Sequence, residues 1–276
     1  MLPAVSTAAF DGHSRPAAFE RLAGLGLREI EVAFIRGYTD FDEDDLSEAE
    51  ARRLRRDAAA LALGVRAVSA HMDLGADGAR DMLARRIAFA AESGAALLVT
   101  NAGPATSRPA ILRRLEEALP RLEAAGIILA LENPGHGAGD LIGRGEDGAA
   151  LMAALDHPRL GLNVDVGNLV TYAGALEPGL SAALPWAVQA HLKDVAEDGP
   201  DWRFVPLGEG MVDWRATAAA MARDAPGLPV TIELPLRLHR PGRASPVRAA
   251  APVPLDRIAE ALRRSLDAWE GARREA

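Results

Sequence analysis

The sequence lacks cysteine and has only one lysine, Lys193, among 31 residues that are lysine or arginine. The absence of cysteine excludes disulfides, thiolate metal sites and cysteine nucleophiles. Because arginine supplies the positive charge everywhere else, we expect Lys193 to have a role that suits a compact ammonium better than a planar guanidinium. The alternative is a surface lysine at the end of a strand.

The sequence also lacks an excess of positive charge, since its formal net charge is −8. Nucleic-acid binding normally requires a basic face, so we expect no nucleic-acid partner. Arginine clusters at 51–56 and 261–266 fall in helical patterns with Leu, Ala and acidic residues, which indicates solvated helix faces. No apolar run approaches the ~18 residues that span a bilayer, and the first residues lack the basic segment of a signal peptide. These features predict a cytoplasmic protein without a membrane partner.

Short runs rich in Val, Ile, Leu and Ala alternate along the chain with longer stretches of helical period. This alternation predicts repeated strand-helix units around a parallel sheet. The predicted strands are 3–8, 28–34, 66–72, 96–101, 127–133, 160–166, 187–194 and 229–235. The predicted helices are 16–25, 47–63, 78–93, 107–125, 146–155, 178–185, 213–224 and 254–271.

Capping signals support several of the predicted helices. Ser47 is predicted to be the N-cap of the second helix, with Glu50 three residues later. Gly64, Gly94 and Gly126 are predicted to end helices two, three and four.

Eight strand-helix units in 276 residues predict a single (β/α)8 TIM barrel, an α/β fold whose usual size is ~250 residues, with residues 1–276 as one domain. An open, doubly wound sheet would need a glycine-rich phosphate turn after an early strand, and the segment STAAFDGHSR contains no G-x-G-x-x-G. Residues 237–254 are predicted to be a long loop between the last strand and the last helix. That loop is interpreted as a passive surface loop, with a lid or a partner contact as the alternative.

Polar residues occupy the carboxyl ends of the predicted strands, which is where a (β/α)8 barrel places its chemistry. Buried charges at such positions are costly unless they are paired or bound to a cation. The residues at these ends are His71, Asn101, Glu132, Asn133, Asp165, His191, Lys193, Asp194 and Glu233.

Four of these residues, Glu132, Asp165, His191 and Glu233, come from four successive strands of the predicted barrel. Their side chains are therefore expected to converge above the barrel mouth. Three carboxylates in such proximity repel one another, and a divalent cation is the simplest group that holds them together. Three oxygen donors and one nitrogen donor favour Mn²⁺, with Mg²⁺, Co²⁺ and Zn²⁺ as alternatives. The sequence thus predicts one divalent metal ion.

Five short motifs resemble, in the same order, those of the xylose isomerase-like TIM-barrel superfamily: ALEN (130–133), NVDVGN (163–168), HLKD (191–194), PLGEG (206–210) and TIELP (231–235). Within it the sequence is most similar to the sugar phosphate isomerase/epimerase group, which includes ketose 3-epimerases, hydroxypyruvate isomerases and inosose dehydratases. The likeness covers the whole chain. Its motifs are specific for the superfamily and not for one substrate.

The resemblance implies that Glu132, Asp165, His191 and Glu233 bind a single divalent metal, and that Glu132 and Glu233 also move the proton. Arg203 resembles the arginine that contacts substrate oxygens, although its spacing from His191 along the chain differs from that in the sugar epimerases.

Those epimerases have a histidine three residues after the metal-binding aspartate, where this chain has Asn168. This difference argues against direct ketose 3-epimerisation. Substrate-binding roles are predicted for His71, Asn133, Asn168, Arg203 and Glu209.

Lys193 is predicted to be catalytic, because an ammonium beside the metal would steady a developing oxyanion. The structural alternative is a salt bridge from Lys193 to Asp194 or Glu209.

Together these features predict an isomerase or epimerase that acts on a small carbohydrate through proton abstraction and an enediolate. A dehydratase with the same site and a non-catalytic sugar-binding barrel are the alternatives. The presence of both proton-moving glutamates favours an enzyme. The sequence leaves the oligomeric state open, with a homodimer as the commonest assembly.

A nuclease of the same superfamily is disfavoured. Apurinic-site endonucleases share the barrel and bind three zinc ions, but they require additional histidines where this chain has Asn101 and Asn168. The missing ligands and the acidic net charge argue against phosphodiester cleavage.

Overall fold

The computed structural model describes residues 2–134, 139–173 and 176–276. Its strands, numbered along the chain, are β1 (Ala4–Ser6), β2 (Glu29–Ala33), β3 (Gly64–Ser69), β4 (Leu97–Asn101), β5 (Ile128–Glu132), β6 (Leu160–Asp165), β7 (Ala187–Leu192), β8 (Asp194–Asp198), β9 (Asp201–Val205), β10 (Val230–Ile232), β11 (Leu238–Arg240) and β12 (Val247–Arg248).

Eight of these strands close into a parallel barrel in the order β1-β2-β3-β4-β5-β6-β7-β10. Parallel register brings the strand ends level: Asn101 of β4 is opposite Glu132 of β5, and Asp165 of β6 is opposite His191 of β7. The predicted (β/α)8 barrel is therefore confirmed, and the carboxyl ends of its strands meet at one rim.

Helices surround the barrel, and each predicted helix overlaps one of them. They are α1 (Arg15–Gly24), α2 (Glu48–Ala60), α3 (Ala79–Ser93), α4 (Arg108–Ala125), α5 (Gly145–Leu155), α6 (Val166–Ala173), α7 (Leu176–Ala183), α8 (Trp214–Asp224) and α9 (Leu255–Glu275). Helix α6 was not expected. It begins directly after β6, where Oδ1 of Asp165 accepts a hydrogen bond from the backbone N–H of Asn168 at 2.9 Å and so caps the new helix.

The capping predictions are confirmed at three positions. The Ser47 hydroxyl accepts a hydrogen bond from the backbone N–H of Glu50 at 3.3 Å. Gly94 and Gly126 adopt left-handed backbone conformations, with φ of 84° and 69°, at the ends of α3 and α4.

The prediction that Gly64 ends the second helix is wrong. Helix α2 ends at Ala60, and Gly64 is the first residue of β3. The chain leaves the helix earlier because Leu63 is buried in the core before the strand starts. Ala62 takes the left-handed conformation in this turn, with φ of 57°.

The prediction of a passive loop over 237–254 is also wrong. This segment carries β11 and β12, which complete a four-stranded antiparallel sheet in the order β12-β11-β9-β8 beside the barrel. Ion pairs fix it to the barrel, since the buried carboxylate of Asp11 contacts Arg237 at 3.0 Å and Arg248 at 2.9 Å. Arg248 also pairs with Asp40 at 2.6 Å. Strand pairing in this sheet and the ion pairs of Arg237 and Arg248 therefore hold the segment in place.

The hydrophobic core lies between the barrel and its helices. Strand residues such as Ile30, Leu98 and Leu129 are fully buried there, as are Phe19 and Leu262 from helices. Within the described residues, no helix combines the length and the hydropathy that crossing a membrane requires.

Candidate metal centre

Four side chains meet at the carboxyl rim of the barrel. Glu132 and Asp165 are the last residues of β5 and β6, His191 lies near the end of β7, and Glu233 follows β10. One donor atom from each lies within 4.8 Å of the donor atoms of the other three. All four side chains are buried. The structure thus brings together the whole predicted ligand set.

The two ring nitrogens of His191 have different surroundings. Nδ1 lies 3.1 Å from Oε2 of Glu132, 3.7 Å from Oε2 of Glu233 and 3.8 Å from Oδ2 of Asp165. Nε2 hydrogen-bonds Oε2 of Glu31 at 2.9 Å. Nδ1 has no hydrogen-bond partner in the described parts of the chain. It is the nitrogen that is available to a cation.

Glu31 is absent from the predicted site because it lies in the middle of β2 and not at a strand end. Its side chain is fully buried, and Oε2 also accepts a hydrogen bond from Nε2 of Gln189 at 2.9 Å. A carboxylate between Ile30 and Val32 in an apolar strand is the signal that would have revealed it.

The charges of the cluster set one another's pKa values. Burial lowers the pKa of His191, but the neighbouring carboxylates of Glu31 and Glu132 outweigh burial and hold the pKa well above its usual value. For Glu233 burial raises the pKa, whereas Lys193 and His191 bring it well below the usual value. Glu132 is likewise shifted downward against its burial, chiefly by His191, so its pKa is lowered. Burial dominates at Asp165 and raises its pKa.

Lys193 is part of this cluster. Its side chain is 1% exposed, and Nζ lies 2.5 Å from Oδ2 of Asp165 and 2.7 Å from Oε2 of Glu233. The alternative of a surface lysine is therefore wrong. Gly167 makes room for it, because a Cβ at that position would approach Cγ of Lys193 to 3.0 Å. The lysine neutralises two carboxylates that face each other.

The predicted alternative partners of Lys193 have other roles. The carboxylate of Asp194 accepts hydrogen bonds from the backbone N–H of Gly208 at 2.9 Å and from Nε1 of Trp214 at 2.8 Å. Glu209 pairs with Nε of Arg264 at 3.1 Å. A salt bridge from Lys193 to either carboxylate is thus not formed.

Side-chain amides hold the Glu132 carboxylate and the backbone of Asp165 in place. Asn163 donates from Nδ2 to Oε2 of Glu132 at 2.6 Å, and Asn168 donates to Oε1 of Glu132 at 3.4 Å and to the backbone oxygen of Asn133 at 2.9 Å. Asn133 bonds the backbone of Asp165 in both directions, at 3.0 and 2.9 Å. These amides restrict the rotation of the Glu132 carboxylate and fix the backbone at Asp165. Asn163 is absent from the predicted site because it precedes the strand end.

A cavity of about 570 Å³ opens at the carboxyl rim, and Glu132 is the member of the cluster that lines it. His71 lines it, hydrogen-bonding Oγ of Ser69 at 3.0 Å and lying 3.7 Å from Oε2 of Glu132. Tyr38, Asn101 and Asn168 are further lining residues.

Three predicted substrate-binding residues, Asn133, Arg203 and Glu209, do not line the cavity. Arg203 is 63% exposed and is ion-paired with Asp198. The alternation along β9 turns its neighbours Trp202 and Phe204 inward and Arg203 outward. Neither Arg203 nor Glu209 is among the described residues that line the cavity.

The donor set fits a divalent cation. Nδ1 of His191 and Oε1 of Glu233 are buried without a hydrogen-bond partner in the described parts of the chain, and such orphaned atoms are rare in proteins. Hard cations prefer carboxylate oxygens, and one imidazole nitrogen is compatible with Mn²⁺, Co²⁺ or Zn²⁺. The cluster can therefore hold one divalent ion.

The barrel and the acidic cluster define a class of metal-binding (β/α)8 proteins. The sequence model of the family described as "xylose isomerase-like TIM barrel" matches residues 19–270, and the chain belongs to this family. No curated protein matches the chain by sequence.

Several solved structures share the fold. A D-psicose 3-epimerase with D-tagatose, from Clostridium cellulolyticum H10, is similar with a TM-score of 0.78, 14% identity and 99% of each chain covered. The IOLI protein with a bound zinc atom has a TM-score of 0.78, 16% identity and the same coverage. A probable 3-DHS dehydratase from Bacillus anthracis has a TM-score of 0.66 and 16% identity, with 97% of this chain and 98% of that chain covered.

Proposed function

We propose that this protein is a metal-dependent enzyme that isomerises or epimerises a small carbohydrate or hydroxy-carbonyl compound by moving a proton next to the carbonyl carbon. The observation that carries the proposal is the buried cluster of Glu132, Asp165, His191 and Glu233, next to an open cavity that Glu132 lines. The epimerases with the same fold support a carbohydrate substrate. A cytoplasmic location stays a prediction from the sequence, which leaves the oligomeric state open.

Glu132, Asp165 and Glu233 would hold the metal through carboxylate oxygens, and His191 would hold it through Nδ1. When bound, a divalent cation polarises a carbonyl oxygen and acidifies the neighbouring C–H. The three carboxylates favour Mg²⁺ and Mn²⁺ over Co²⁺ and Zn²⁺, and the imidazole nitrogen favours Mn²⁺ over Mg²⁺.

Glu132 and Glu233 are the proposed bases. The neighbouring cations lower the pKa of both carboxyls, so both are ionised near neutral pH and able to accept a proton. Glu132 ends β5 and Glu233 follows β10, and β6 and β7 lie between these strands, so the two carboxylates reach the cluster from different sides of the rim. One removes the proton from the C–H. The other returns a proton to the neighbouring carbon in an isomerisation, or to the opposite face of the same carbon in an epimerisation.

Three further residues have proposed roles in this reaction. Lys193 places a positive charge beside Glu233, where it steadies the negative charge that the substrate develops. His71 and Asn168 line the cavity and are positioned to hydrogen-bond substrate hydroxyls. Asn133 positions Asp165 through the backbone and makes no proposed contact with substrate. Arg203 and Glu209 have no part in the proposal.

Dehydration is the second candidate. Asn168 occupies the place of a histidine that the resemblance implies for ketose 3-epimerases, and a probable dehydratase shares the fold. The same proton abstraction leads to dehydration if the hydroxyl on the next carbon leaves as water.

Deuterium exchange tests the proposal. The protein is incubated with Mn²⁺ and a panel of keto-sugars in D₂O, and the carbon-bound deuterium is measured by mass spectrometry. We expect incorporation, with a loss of about 100-fold or more in Glu132→Gln and Glu233→Gln. Glu197→Gln, an exposed carboxylate paired with Arg243, is the matched control. Loss of water identifies the dehydratase, whereas no exchange across the panel would leave only a binding function.

A further inference from the structure

One charged side chain that lines the cavity has no part in the proposed proton transfer. Arg86 of α3 is 2% exposed, and its Nη2 donates to Oε1 of Glu43 at 3.1 Å. Its Nε and Nη1 are buried and lack a hydrogen-bond partner within the described parts of the chain. A buried guanidinium with two unsatisfied nitrogens is costly, which points to a missing acceptor.

The charge around Arg86 is positive. Arg86 shares the Glu43 carboxylate with Arg36, whose Nη2 lies 3.6 Å from Oε1. Arg85 donates to the backbone oxygen of Glu43 at 3.5 Å. Burial lowers the pKa of Arg86 and Glu43 raises it, while Arg85 and Arg36 lower it further. Arginine nevertheless stays protonated in proteins. The Glu43 carboxylate therefore pairs with both Arg86 and Arg36, and this group of three side chains carries one positive charge in excess.

The arginines and the proposed reaction site share one cavity. Arg36 and Arg86 line it, as do His71, Glu132 and Asn168. Its volume of about 570 Å³ is in the range of small-ligand pockets. A single small molecule in this cavity can contact Glu132 of the cluster with one part and the arginines with another.

We propose that the substrate carries a carboxylate, as a sugar acid or other hydroxy-carbonyl acid does, and that Arg86 and Arg36 bind this group. The inference rests on the proposed function and names its substrate class. A carboxylate carries one negative charge, which matches the one positive charge in excess in the group of Arg86, Arg36 and Glu43. A phosphate monoester carries about −1.5 to −2 at pH 7 and three acceptor oxygens. The carboxylates that line the same cavity would repel its second negative charge.

Calorimetric titration with matched ligands tests the inference. D-fructuronate and D-fructose differ only in a carboxylate at the last carbon, and D-tagaturonate and D-tagatose form a second pair. Each ligand is titrated into the protein with Mn²⁺. D-fructose 6-phosphate is titrated in the same way, to test whether the site binds a phosphate ester instead of a carboxylate. We expect at least one uronate to bind about tenfold or more tightly than its neutral partner.

Variants separate binding from folding. Arg86→Gln is expected to remove most of the preference for the uronate. Because it changes a buried residue, Arg36→Ala provides a second test on a side chain that is 80% exposed, and it should reduce the preference without affecting the fold. Arg80→Ala is the control, since this exposed arginine also lies on α3 but pairs with Glu117.

Four results would overturn the inference: equal affinities within both pairs, no binding of either uronate, tighter binding of the phosphate ester, or a preference that survives both variants. The deuterium experiment distinguishes these from failure of the proposed function. Exchange on neutral sugars alone would support the proposed function and contradict a carboxylate substrate. A uronate preference without exchange in any compound would support the arginine site and contradict the proposed proton transfer.

Discussion

Glu31 accepts a hydrogen bond from Nε2 of His191 at 2.9 Å, and this contact leaves Nδ1 of the ring facing the three carboxylates of the cluster. Carboxylate-histidine pairs of this kind fix the tautomer and the ring orientation of a metal ligand and raise its basicity. The fully buried Glu31 therefore acts through His191 as a positioning residue.

Replacing Glu31 with glutamine is expected to weaken metal binding by about 10- to 100-fold. The amide oxygen still accepts from Nε2, so the variant removes the negative charge while keeping the contact. Affinity is measured by competition with a fluorescent chelator. Glu29→Gln is the control, because Glu29 lies on the same strand and pairs with Arg66. An unchanged affinity together with a lower melting temperature in chelator would assign Glu31 a structural role only.

Bound metal is expected to raise the melting temperature. At a metal concentration about 100 times the dissociation constant, mass action adds about 2.7 kcal/mol to the free energy of unfolding. Asp165→Asn should remove most of this rise, since it takes away a charged donor while an amide oxygen can still cap α6. Thermal melts with Mn²⁺ and with chelator measure the difference. Asp267→Asn, on the exposed side of α9, should keep it, and a full rise in Asp165→Asn would contradict the ligand role.

Lys193→Met is expected to separate metal binding from catalysis. The ammonium competes with a cation for Asp165 and Glu233, so its removal should leave metal affinity equal or several-fold higher. Deuterium exchange should fall by about 100-fold, because a charge beside the reacting group is lost. Chelator competition and the exchange assay measure the two effects. Exchange at the wild-type rate would show that Lys193 only balances charge.

We expect the protein to lose stability at high pH because of the phenol of Tyr38. Burial is the main reason why the pKa of its phenol is raised from 10.0 to about 12. Lys193 lowers this pKa and Glu233 raises it, both by smaller amounts. The folded state thus favours the neutral phenol. This contribution is present below pH 10 and is lost as the pH rises through about 12. It amounts to at most about 3 kcal/mol.

Urea unfolding of the wild type and Tyr38→Phe between pH 9 and 12 checks this contribution. The free energy of unfolding of the wild type should fall relative to that of Tyr38→Phe as the pH rises from about 10 to about 12. A difference that stays constant over this range would show that the phenol does not ionise at a raised pKa.

The sequence alone determined the barrel and the main members of the cluster. Alternating strand and helix periods specify repeated units, and parallel closure necessarily places all strand ends at one rim. Glu132, Asp165, His191 and Glu233 could be found for this reason, because each lies at or next to a strand end. The position of a strand end is a local property, so it can be predicted from the hydrophobic pattern of the sequence.

The tertiary structure decided which other side chains join the cluster. Glu31 reaches His191 from 160 positions away along the chain, and Arg86 shares the cavity although it belongs to a helix. Segment 237–254 acquires strands only because β9 offers it an edge, and Arg203 faces outward because of the alternation in that same sheet. Such contacts depend on long-range register and side-chain direction, which no local pattern encodes.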